Sequence, residues 1–295
     1  MSVIFKNISG SQPGEGRILS THPAVEGDSF YWERGLWDQD LVEQIRKARA
    51  IILSQTVEGE LYSLCRNLCH SVFPNYDLRF QLEGKVGDSL LFWAYGVSHP
   101  YTMVFPRVET LLGEHPIMGH HPPKLPDYPF VLKAAQGGEG KHTWLIENSA
   151  DLEQKLLHLK QLELHGNFGF VVQEYLPGLE RDLRVVVIGD QVISYWRKAA
   201  GFLHNVARGG AIDKESSPEL QSAGREVVMA LCRRTGINLA GFDLVFPANS
   251  RAPVFLEINY TFGRSGLGGT DGFYTSLRQA VDKWLNDFDS RNKGM

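Results

Sequence analysis

Apolar and polar positions along the chain follow two different periods, and each marks a different kind of element. Short runs rich in Val, Ile, Phe and Tyr, apolar throughout or alternating, predict strands. They fall at Ala50 to Gln55, Phe130 to Leu132, Thr143 to Ile146, Gly169 to Leu176, the VVVIG and VISYWRK stretches after Arg184, Ala240 to Phe246, and Val254 to Asn259. Spacings of three and four predict helices from Asp40 through LVEQIRKARA, over Glu58 to His70, and over Lys85 to Tyr95 with a stop at Gly96. Further helices are expected over Asp151 to Leu164, capped by Asn148 and Ser149, over Glu219 to Thr235, closed by Gly236, and over Tyr274 to Phe288. Residues 1–40 give no period, because Gly10, Pro13, Gly14, Gly16, Pro23 and Gly27 interrupt it. Asn75 to Leu82 reads as a polar turn and a short extended piece, and His115 to Pro129, with five prolines, as a stiff connector. The fold class these elements predict is α+β, with an α/β N-terminal part and a boundary at Glu83-Gly84-Lys85.

The stretch PFVLKAAQGGEGK, Pro129 to Lys141, holds the first candidate chemistry. Lys133 and Lys141 flank Gly137, Gly138 and Gly140, and glycines let a backbone lie close to a ligand. It is not a Walker loop: Ala135 stands where that pattern needs glycine, and His142 where it needs Ser or Thr. A strand follows rather than a helix. The reading is a β-hairpin whose glycine tip folds over a nucleotide with Lys133 at its base, the alternative being a purely structural hairpin.

Two later hairpins carry charge. On the first, Asp182 and Arg184 share a face, and Arg197 lies on the returning strand opposite the Trp196 face. A glycine-bounded loop, Gly201 to Gly210, then presents Asn205 and Arg208. In the second, pairing Phe246 with Val254 puts Asp243 opposite Glu257. Like charges facing across a ladder are destabilising, and a cation between them removes the conflict. Asn259, two residues beyond Glu257, adds a neutral oxygen, so the donors suit a hard cation such as magnesium. In another register both acids face solvent. The loop Thr261 to Gly272 around Arg264 reads either as a backbone cradle for an anion or as a connector.

Composition narrows the partners. At 295 residues the chain is long enough for about two domains. A net charge of -4 gives no support for a nucleic-acid partner, so phosphate affinity has to be local. No apolar window is long enough for a membrane span and no export signal opens the chain, so a cytoplasmic location is expected. Three cysteines do not suggest a disulfide framework. Cys65 and Cys69 beside His70, and the loop histidines His115, His120 and His121, are metal candidates read in preference as buried thiols and exposed loop residues. A homo-oligomer is compatible with the sequence.

Taken in order, VFPNYDLRFQLEGK, VLKAAQGGEGK, VQEYLPGLERDLRVVVIG, NVARGG, GFDLVF and FLEIN resemble the ATP-grasp superfamily, in the branch of glutathione synthetase and the RimK-type glutamate ligases. The resemblance covers roughly Val72 to Phe288. It implies two α+β subdomains clasping ATP, residues 85–172 and 173–295, after a short pre-ATP-grasp domain, residues 1–84. It also implies roles. Lys85 and Lys133 would hold ATP phosphates under the hairpin bearing Gly137, Gly138, Gly140 and Lys141. The strand end Gln173, Glu174, Tyr175 and Leu176 would meet the adenine, with Asp182 on the ribose side. Asp243, Glu257 and Asn259 would bind magnesium, or manganese, and Arg184, Arg197 and Asn205 would face the reacting centre.

The activity so implied is ATP-dependent ligation of a small carboxylate to an amine through an acyl phosphate. A small-molecule kinase and a non-catalytic nucleotide-binding module are the alternatives. The chain departs from RimK-type relatives at Leu203, where they usually carry Arg, and at Tyr260-Thr261-Phe262-Gly263-Arg264, where they tend to have small residues and Pro-Gly. Its N-terminal part is also short. These departures bear on the choice of substrate and leave the nucleotide features intact.

Overall fold

The computed structural model describes residues 17–33, 35, 37–115, 119–137, 142–198, 212–248 and 250–292. The first sheet is parallel, in the order β2-β1-β3-β4, and uses β1 (Arg17–Ser20), β2 (Ser29–Phe30), β3 (Ala48–Ile52) and β4 (Val72–Phe73). Helices α1 (Gln39–Lys47) and α2 (Gly59–Leu68) connect its strands. Strands β1 and β2 lie in the stretch expected to hold no element; they are too short, and too close to Pro23 and Gly27, for a period to register. Helix α1 ends at Lys47, earlier than expected, because Ala48 already pairs with Arg17 of β1.

Asn75 to Leu82 also differs from expectation, since α3 (Asp77–Gln81) replaces the extended piece. The Asp77 carboxylate is fixed by Arg66 and by the Tyr62 hydroxyl, and its own N–H donates to the Asn75 side chain. Helix α4 (Gly84–Tyr95) ends, as expected, on a left-handed Gly96. A second sheet follows, antiparallel in the order β5-β10-β8-β9. Its strands are β5 (Thr102–Phe105), β8 (Phe130–Ala134), β9 (Thr143–Ile146) and β10 (Phe170–Glu174). Between them lie α5 (Val108–Leu112), the two-residue strands β6 (Glu114–His115) and β7 (Gly119–His120), and α6 (Ser149–Leu164). The connector is therefore not wholly without structure, because β6 pairs with β7. Asn148 caps α6 through the Asp151 N–H. The core of this layer joins Phe130, Leu132, Phe170 and Val172 to Val108, Leu111, Leu156 and Leu159.

The third sheet has the order β13-β12-β11-β14-β15 and is also antiparallel. It comprises β11 (Arg181–Ile188), β12 (Gln191–Lys198), β13 (Ile212–Asp213), β14 (Leu239–Val245) and β15 (Val254–Asn259), with α7 (Pro218–Thr235) between β13 and β14. Leu183, Val185 and Val187 of β11 face one way, onto Val228 and Leu231 of α7 and Leu91 of α4. Val186 and Ile188 face the other way, into a core shared with the first sheet and with α8 (Gly269–Asn292). Strand period two thus gives this sheet two buried faces. Helix α8 starts at Gly269 and runs past Phe288, longer than expected, because its first-turn glycines add nothing to an apolar pattern.

The β14–β15 register carries a correction. Val245, and not Phe246, faces Val254, yet Asp243 still faces Glu257, because a bulge between Asp243 and Leu244 adds one residue on β15. Among the described residues no helix is long and apolar enough to cross a membrane.

Candidate functional site

Helix α4 brings the first lysine in. Gly84 sits at φ 70°, and a Cβ there would lie 2.3 Å from the Ala135 carbonyl oxygen, so only glycine allows α4 to start against the end of β8. The Lys85 N–H donates to that carbonyl at 3.0 Å, and the Lys85 ammonium donates to the Gly137 carbonyl at 2.6 Å. Lys85 is buried in the first turn of a helix, where the dipole disfavours a cation. Lys133, on β8, donates to Oε1 of Gln173 at 2.8 Å, and Gln173 in turn donates to the Thr102 hydroxyl at 2.9 Å. Both ammonium groups therefore rest on neutral acceptors. Burial pulls the Lys133 ammonium below the usual lysine range, although Glu257 counters it.

Asp88, one turn after Lys85, was not picked out from the sequence. It is buried, and its carboxylate accepts the Ile258 N–H at 3.1 Å, tying α4 to β15 between Glu257 and Asn259. Burial, and then the charge of Glu257, push its carboxyl well above the ordinary carboxylate range. Its three-residue spacing from Lys85 was the available signal.

A charge quartet occupies the adjoining end of the third sheet. Asp182 faces Arg197 across β11–β12, and Arg184 faces Asp243 across β11–β14. Arg184 grips both oxygens of Asp243, the Nη2 contact being 3.0 Å, and Arg197 grips both oxygens of Asp182 while reaching Asp243 at 2.9 Å. Asn259 donates to Asp243 Oδ2 at 3.0 Å. All four charged side chains are buried. Burial raises the Asp182 carboxyl to about 6 despite Arg197, whereas the two guanidiniums overcome burial at Asp243 and hold it below its ordinary value.

The structure brings Asp243, Glu257 and Asn259 onto one face of β14–β15. Their oxygens are the right chemistry for a hard divalent cation. Glu257 accepts no hydrogen bond and makes no ion pair among the described residues, which leaves it available. Asp243 is different: Arg184, Arg197 and Asn259 fill its four acceptor positions, so one of these three donors has to yield for a metal to reach it. The residues fit magnesium on that condition. The two lysines on neutral partners fit a polyphosphate without one.

At the strand end, the Glu174 N–H is donated to the Tyr101 carbonyl at 2.9 Å, and Tyr175 and Leu176 just beyond it are half-buried. Gly138, Gly140, Lys141 and Asn205, together with Leu203 and Arg208, lie outside the described residues. Arg264 stacks at 4.6 Å over Phe273 and 5.1 Å over Tyr274, inside packing rather than in an open cradle. Cys65 and Cys69 are buried free thiols, and burial pushes Cys65 up to about 12. No group of three His, Cys, Asp or Glu side chains among the described residues is placed to hold a metal. A cavity of 420 Å³ beside Glu33, Trp37 and Thr56 contains none of the expected site residues.

Three sheets arranged in this way, with Lys133 on the second, Lys85 on helix α4 against its edge and the carboxylates on the third, define an ATP-grasp fold. Solved structures agree: a RimK domain ATP-grasp protein from Sphaerobacter thermophilus superposes with a TM-score of 0.58 at 15% identity, covering 90% of this chain and 98% of that one. A D-alanine–D-alanine ligase from Bacillus anthracis, complexed with ATP, gives 0.57 at 14% identity, covering 89% and 87%. The RimK-like ATP-grasp domain matches residues 123–273, over half of the chain, and the chain belongs to that family. A probable alpha-L-glutamate ligase from Xanthomonas oryzae is 32% identical over 148 residues, 49% of this chain and 47% of that protein. The chain spans about half the length of the curated relatives it matches.

Proposed function

We propose that the protein is an ATP-dependent carboxylate–amine ligase that works through an acyl phosphate. The observation that carries this is the meeting of two lysines on neutral acceptors with a Glu257 that pairs with none of the described residues and with the Asp243–Asn259 pair. Family membership and the naming of a relative as a glutamate ligase support it. Residues 1–84 would form the preceding domain, and 85–172 and 173–295 the two halves that enclose the nucleotide.

In this reading Lys85 and Lys133 neutralise phosphate charge, the hairpin closes over it, and Tyr175 and Leu176 line the adenine with Asp182 toward the ribose. Asp243, Glu257 and Asn259 would hold magnesium, which supplies charge neutralisation to the phosphates. Arg184 and Arg197, once released from Asp243, face the carboxylate that attacks the γ-phosphorus. ADP leaves, and an amine then attacks the acyl carbon and expels phosphate. The need is for positioned charge and excluded water rather than a protein nucleophile.

The test is turnover with magnesium, ATP and hydroxylamine over pools of amino acids and short acidic peptides. ADP release with hydroxamate, falling about 10²-fold or more in Glu257→Ala, is expected. Phosphorylated substrate without hydroxamate would replace ligation by transfer to a hydroxyl.

A further inference from the structure

Helix α4 brings two charged side chains to the site from neighbouring turns, Lys85 and Asp88, and the function proposed above uses only the first. Asp88 is buried, and its Oδ2 accepts the Ile258 N–H at 3.1 Å. Among the described residues β15 is the outermost strand of the third sheet, so N–H groups on its free side need acceptors from outside the sheet. Two of them find acceptors on α4 or just after it: Ile258 at Asp88, and Phe255 at the Ser98 carbonyl, 2.8 Å away. These two residues are three apart, which in a regular strand sends their N–H groups to opposite sides. The bulge between them turns both toward α4.

The residues on either side of Ile258 give this anchor its consequence. They are Glu257 and Asn259, whose side chains stand on the face that also holds Asp243. Lys85, one turn before Asp88, is fixed to the Ala135 and Gly137 carbonyls at the end of β8. Helix α4 therefore reaches from the end of the second sheet to the edge of the third, where its Phe92 ring lies 5.5 Å from that of Phe255. What the anchor needs is an acceptor rather than a charge. Burial and Glu257 both act against a charged carboxylate at Asp88, and an amide oxygen accepts a backbone N–H equally well.

We infer that Asp88 is a positioning residue: by holding the Ile258 N–H it fixes Glu257 and Asn259 relative to Lys85, so that magnesium and the nucleotide strengthen each other's binding. This rests on the nucleotide and magnesium reading of the site. The test compares the whole protein with Asp88→Ala, which removes the acceptor, and Asp88→Asn, which keeps it without the charge. ADP is titrated by calorimetry in EDTA and again with magnesium, and amide hydrogen exchange across β15 is followed by mass spectrometry in EDTA.

Asp88→Ala is expected to exchange the β15 amides faster and to lose about tenfold or more of the enhancement that magnesium gives, while binding ADP in EDTA within about twofold of wild type. Asp88→Asn is expected to keep both the protection and the enhancement. It retains the volume and the acceptor, so it tests the inference even if Asp88→Ala does not fold. An undiminished enhancement in Asp88→Ala, an equal loss with and without magnesium, or a loss that Asp88→Asn shares overturns the inference alone. Absence of any magnesium enhancement in the wild type would overturn the magnesium reading itself, and this inference falls with it.

Discussion

Replacing Asp243 by Asn tests the charge quartet in the absence of any ligand. Among the described residues Arg184, 6% exposed, pairs with no carboxylate but Asp243, so the substitution leaves a buried guanidinium uncompensated. Arg197 keeps Asp182. Removing one partner of a buried pair typically costs about 3–5 kcal/mol. The amide oxygen of Asn still accepts one bond, so the lower end, about 3 kcal/mol, is expected. Urea unfolding in EDTA, compared at constant slope, reads this directly. Adding Arg184→Leu removes the stranded charge and should restore part of the loss, with a coupling of about 1–3 kcal/mol between the two sites. Asp243→Asn within about 0.5 kcal/mol of wild type, or a double variant no more stable than the single, would refute the reasoning.

Other outcomes follow from the same geometry. His22 is buried, accepts the Ala24 N–H at Nδ1, and burial together with Arg264 lowers it from 6.5 to about 4. The unfolded chain binds this proton first, so the stability His22 contributes is complete above pH 6.5 and is lost as pH falls toward 4. The loss should be on the order of 3 kcal/mol and absent in His22→Gln, as followed by denaturant midpoints at each pH. Gly84→Ala meets both a positive φ and the Ala135 carbonyl, so it should cost several kcal/mol and weaken magnesium–ADP binding by moving Lys85. Gly96→Ala, at φ 60° with nothing within 4 Å, should cost only about 1–2 kcal/mol and leave binding unchanged.

What could be read from the sequence was whatever local pattern determines. The β8–β9 hairpin around Lys133 and the helix stopped at Gly96 follow from strand and helix periods with glycine punctuation. The facing of Asp243 and Glu257 came out right although the assumed register was one residue off, because the bulge compensated for it. What lay hidden was non-local. Arg184 and Arg197 read as free to face a substrate, but their partners stand on neighbouring strands, and no spacing within β11 or β12 reveals that Arg184 meets Asp243. Asp88 was not singled out by the sequence pattern, and like Arg184 and Arg197 it has its partner on another element. Only tertiary packing gives them their surroundings.

The most direct test of the account is calorimetric titration of magnesium–ADP into the wild type, Lys133→Ala and Glu257→Gln, each repeated with ADP and EDTA. The account predicts wild-type binding that tightens with magnesium, weaker binding in Lys133→Ala under both conditions, and loss of the magnesium enhancement alone in Glu257→Gln. An undiminished magnesium enhancement in Glu257→Gln, with Lys133→Ala binding like wild type, would contradict it.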